Sequence, residues 1–142
     1  EFTVLGKLKA CLYAGPNSPV YNERTVKFED LPRFKYVRGL KEFFSIEDGL
    51  EHVSLGPVNP EVLHSAVCTN SEHLSTNFLL MTDLVDIGIN FDYPKRGQYK
   101  IKNLPIEGED SFLTMGYVAK EGHTLTLYAN ELITYIQDCI SP

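Results

Sequence analysis

Residues Asn59 to Ser75, NPEVLHSAVCTNSEHLS, gather two histidines, three serines, a cysteine and two glutamates. These side chains can act as base, nucleophile or metal ligand. Asn59 as N-cap and Pro60 at the first helical position predict a helix of about two turns. On such a helix Val62, Leu63, Ala66 and Val67 form an apolar stripe. His64 and Cys68, at i and i+4, share its flank. Two chemistries follow. With His73 or Glu72 as further ligands, the pair would begin a metal site. Alternatively, His64 would serve as general base for Ser65, Cys68 or Ser71, with Asp83 or Asp86 orienting the ring, as in a hydrolase.

Each has an objection. Zinc patterns use paired cysteines or histidines at fixed short spacings, which His64, Cys68 and His73 do not match. Neighbouring residues on a helix point about 100° apart, which places His64 poorly for Ser65. No G-x-S-x-G elbow surrounds any of these serines. The expectation is therefore a surface helix running into a loop, with no catalytic set, no cofactor and no metal. The hydrolase and the metal site stand as alternatives.

Other motifs resolve in the same direction. Asp86, Gly88, Asn90 and Asp92 resemble a calcium loop in composition but lack its order and its closing Glu. The alternating Val85, Ile87, Ile89, Phe91 and Tyr93 make them one face of a strand. RFKYVRGLK, Arg33 to Lys41, mixes rings with cations as single-stranded nucleic acid requires. On a strand, however, the charges and rings fall on opposite faces, and a basic edge strand explains them. Phosphate-cradling glycine signatures are absent. Binding is expected instead at loops, through Asn17, Glu107, Glu109, Asp110 and His123.

The elements that must carry these residues are mostly strands. Phe2, Val4, Leu8, Ala10 and Leu12 alternate with Thr3, Lys7, Lys9 and Cys11, and Gly6 suggests a bulge. GPNSP is a turn. Val20–Phe28 and Arg33–Arg38 follow as strands, then SIEDGLEHV as a short helix capped by Ser45. From Asn77 the chain reads as strands again: 85–93, QYKIKNL, and a hairpin of SFLTMGYVAK and HTLTLYA about Glu121-Gly122. NELITYIQDCI closes the chain as a helix with Leu132, Ile133, Ile136, Cys139 and Ile140 on one stripe. The sum is a β-rich fold, a mainly antiparallel sandwich or partly open barrel, with two short internal helices and a C-terminal helix. The alternative is α+β.

Totals narrow the function classes. The 142 residues suit one globular domain, expected to be a fragment of a larger protein since no Met opens it. A net charge of −6 disfavours nucleic acid and anionic membranes. Three scattered cysteines without a C-x-x-C pair point to a reducing, intracellular, cytoplasmic setting rather than a disulfide scaffold. No apolar run approaches the about 18 residues of a membrane span. The expected function is a non-catalytic protein–protein interaction or assembly domain of a scaffold, cytoskeletal or capsid protein, binding a protein partner or a second copy of itself.

Overall fold

The structure, a computed structural model, describes residues 2–39, 63–90, 99–107, 112–122 and 124–140. Among them are seven strands: β1 (Phe2–Ala14), β2 (Val26–Lys27), β3 (Lys35–Arg38), β4 (His64–Cys68), β5 (Val85–Ile89), β6 (Lys102–Glu107) and β7 (Phe112–Val118). A 3-10 turn spans Phe28–Arg33, and two α-helices are α1 (Glu72–Met81) and α2 (Leu127–Ile140). The expected helix SIEDGLEHV lies outside the described residues.

β1 organises the sheet because both of its edges are used in turn. Its C-terminal half lies between β5 and β6, and its N-terminal half pairs with β7. Side chains alternate across a strand. Ala10, Leu12 and Ala14 therefore enter one core with Val85, Ile87 and Leu104. Cys11 and Tyr13 enter a second core, on the other face, with Val37, Leu79 and Leu84. Both faces are covered, and Leu12 and Ala14 are fully buried. The register shifts between Val4 and Gly6, opposite Gly116 and Met115. Those two β7 residues are consecutive and face opposite ways, so Val4 and Gly6 do too. The bulge expected at Gly6 thus reverses the phase of the alternation. Leu8 is buried while Phe2 and Val4 stand exposed.

The sheet order is β2-β6-β1-β5-β3-β4, with β7 attached to β1. The result is the β-rich, half-open curled sheet with a terminal helix that the residues indicated. Its pairing is mixed: β1 runs antiparallel to β5, β6 and β7, whereas β3 runs parallel to β4 and β5, and β2 parallel to β6.

Several local expectations are corrected. The helix expected from Pro60 is a strand over His64–Cys68. Its main-chain groups pair in register with Lys35–Arg38, and a helix of two turns has too little local stability to compete. The helix forms one step later. Ser71 caps it, its Oγ accepting from the Leu74 N–H at 3.3 Å, and Glu72 suits the positive end of the dipole. Asn77 therefore lies in α1, not at the start of a strand, and Leu79 anchors the helix in the second core. The Thr82 N–H closes α1 on the Phe78 carbonyl at 3.0 Å.

Of Val20–Phe28, only Val26 and Lys27 are extended into a strand. Ser18, Tyr21 and Glu23 donate backbone bonds three residues back, extending the turn chemistry of GPNSP. The HTLTLYA strand is absent among the described residues. α2 instead begins at Leu127, where the Thr126 hydroxyl accepts from the Ala129 N–H at 3.2 Å, three residues before the cap expected at Asn130.

Candidate functional site

Three parallel strands run side by side. β3 stops at Arg38, β4 at Cys68 and β5 at Ile89. In open parallel sheets the carboxyl ends of such strands form the place where ligands sit, since the connecting loops leave there with their polar groups outward. The ends are tied together. The Thr69 N–H donates to the Arg38 carbonyl at 2.9 Å, and the Asn90 N–H to the Lys9 carbonyl at 2.8 Å. Arg38, Thr69, Asn70 and Ser71 therefore meet where β3 and β4 end and α1 begins, and Lys9 and Asn90 meet further along, where β5 runs past β1.

Both places are polar and accessible. Lys9, Asn70 and Asn90 are exposed, and Arg38, Thr69 and Ser71 half-buried. The turn from β4 into α1 is locally rigid: the Thr69 hydroxyl accepts from the Ser71 N–H at 3.1 Å, and the Ser71 hydroxyl caps the helix. The first N–H groups of any α-helix lack intrahelical carbonyls and carry the positive end of the dipole. Here that end follows directly on Thr69, which is bonded to the end of β3 at Arg38, the setting in which a helix start favours a small anion although the chain is acidic overall. Glu72, in the first turn, opposes part of that effect.

β4, α1 and β5 hold this arrangement because α1 crosses from one parallel strand to another. Tyr13 lies over Gly88 and donates its hydroxyl to the Ile89 carbonyl. At the far end of α1, Gly15 meets the helix so closely that an added Cβ would fall 1.6 Å from the Leu79 carbonyl oxygen.

The structure disperses the chemistry first considered. His64 and Cys68 pair with Lys35 and Arg38, three strand residues apart, which at about 3.3 Å per residue separates them by about 10 Å rather than one helical turn. The helical adjacency that suggested a shared site is gone. The bulge in β4 brings Ser65 Oγ within 3.1 Å of Cys68 Sγ, but both are exposed. Ser71 is committed to the cap. His73, on α1, has its Nε2 3.1 Å from Asn77 Nδ2. Asp83 is exposed in the turn before β5, and Asp86 is half-buried on β5 opposite Tyr13. Among the described residues no three histidine, cysteine or acidic side chains gather as a metal-holding group.

The expected binding residues are also scattered. Asn17 donates to the Leu80 carbonyl at 3.2 Å, and Glu107 accepts from the Thr25 hydroxyl at 2.7 Å. Both are in local structural bonds. Glu109, Asp110 and His123 lie outside the described residues. Arg38, within the basic-aromatic run, and Asn90, within the calcium-like ladder, were weighed from sequence for other ligands and set aside, and Lys9, Thr69 and Asn70 were not singled out as binding residues. A further signal was the T-N-S-E run, a helix cap that is read only once β4 is recognised as a strand.

No family model and no curated protein sequence matches the chain. Solved structures match its fold. The effector-binding domain of QuiR in complex with shikimate aligns with a TM-score of 0.64 at 13% identity, covering 96% of this chain and 63% of that one. HinK, a LysR-family transcriptional regulator from Pseudomonas aeruginosa, gives 0.64 at 12% identity, over 99% of this chain and 48% of that one. The CcmR regulatory domain of Synechocystis PCC6803 in complex with 2-PG gives 0.61 at 8% identity, over 99% and 67%. The chain thus spans about half to two-thirds of the chains it matches. Its fold is that of LysR-type effector-binding domains. This overturns the scaffold, cytoskeletal and capsid reading together with the structural-protein description, because the fold neighbours are described as transcriptional regulators and effector-binding domains.

Proposed function

We propose that the chain is part of the effector-sensing region of a LysR-type transcriptional regulator and binds a small organic anion at the carboxyl ends of β3 and β4. One observation carries the reading. The end of β3 at Arg38, the end of β4 and the capped start of α1 meet through the Thr69–Arg38 main-chain bond, within the fold of domains solved with shikimate and with 2-PG. Arg38 would neutralise the ligand charge. The first α1 N–H groups would donate hydrogen bonds to its oxygens, and Asn70 would read its hydroxyls. No reaction is required: binding alone biases the regulator.

Self-association belongs to this proposal, as do an intracellular setting and the role of residues 1–142 as one globular unit of a larger protein. With a net charge of −6 this stretch is not proposed to touch DNA itself. No described helix is long and apolar enough to cross a membrane.

The test is a thermal-shift screen of small carboxylates and phosphate esters, followed by calorimetry on each hit. A ligand at 100 times its Kd stabilises the fold by about 2.7 kcal/mol, which is a rise of roughly 5–10 °C at this size. Losing a hydrogen bond to a charged group is worth about 1.5–3 kcal/mol, so Arg38→Ala should weaken a hit by roughly tenfold or more. An anion that binds wild type and Arg38→Ala equally would place the site elsewhere.

A further inference from the structure

No further inference is drawn: the strongest candidate, the exposed apolar stripe of Tyr128, Leu132 and Tyr135 on α2 beside the open β1–β7 ribbon with Phe2, Val4 and Val118 exposed, carries nothing because nothing in the structure shows what covers it.

Discussion

Gly88→Ala tests the packing of Tyr13 against β5. Gly88 is buried on β5, paired with Cys11. A methyl group there would have its carbon 2.1 Å from Tyr13 Cε2, 2.6 Å from Cζ and 2.8 Å from the phenol oxygen. Tyr13 is itself only 7% exposed, so its ring has little room to retreat. Overpacking of this kind costs about 1–3 kcal/mol. Displacing the ring also loses its bond to the Ile89 carbonyl, worth about 1 kcal/mol. Alanine recovers about 0.4–1 kcal/mol by restricting the unfolded chain, because Gly88 does not adopt positive φ. The net expectation is a loss of about 1–3 kcal/mol, read as a lower urea midpoint at unchanged slope. The same substitution in a Tyr13→Ala background should cost less than about 1 kcal/mol, since the obstructing ring is gone. Equal losses in both backgrounds, or a wild-type midpoint for Gly88→Ala, would refute the assignment of the conflict to Tyr13.

Other perturbations separate strong contacts from weak ones. Ser71→Ala removes the α1 cap and should lower stability by about 1 kcal/mol, with the earliest gain in amide exchange expected over residues 72–75. Tyr36→Phe removes the 2.6 Å bond to the Leu31 carbonyl in a fully buried site; the Phe34 N–H still pairs that carbonyl at 3.3 Å, so denaturation should show a loss of about 0.5–1.5 kcal/mol, and a loss above about 3 kcal/mol would mean the hydroxyl does more than this one bond. Arg33→Ala breaks the 2.8 Å pair with Asp30, but the Arg33 side chain is 78% exposed, so the melting temperature should stay within about 1–2 °C of wild type.

What could be read from the residues alone was whatever local periodicity decides. The alternation of Leu8, Ala10 and Leu12, the irregularity at Gly6, the run Val85 to Ile89 and the apolar stripe of the last helix all declare themselves, because each element repeats its own pattern over enough residues. The half-open β-rich architecture followed from their sum. Short segments did not declare themselves. HSAVC has helical signals before it and strand partners only in space, and β3 supplies the main-chain bonds that outweigh those signals. HTLTLYA alternates like a strand, but its last residues, Leu127 to Ala129, form the first turn of α2.

The candidate site was hidden for the same reason. Arg38 and Thr69 stand far apart in the chain, and neither marks an anion site where it stands. They meet only because parallel pairing brings the ends of β3 and β4 to the same edge and the Ser71 cap turns α1 away from it. Local sequence set which residues could form strands and helices; long-range pairing alone decided which of their ends meet.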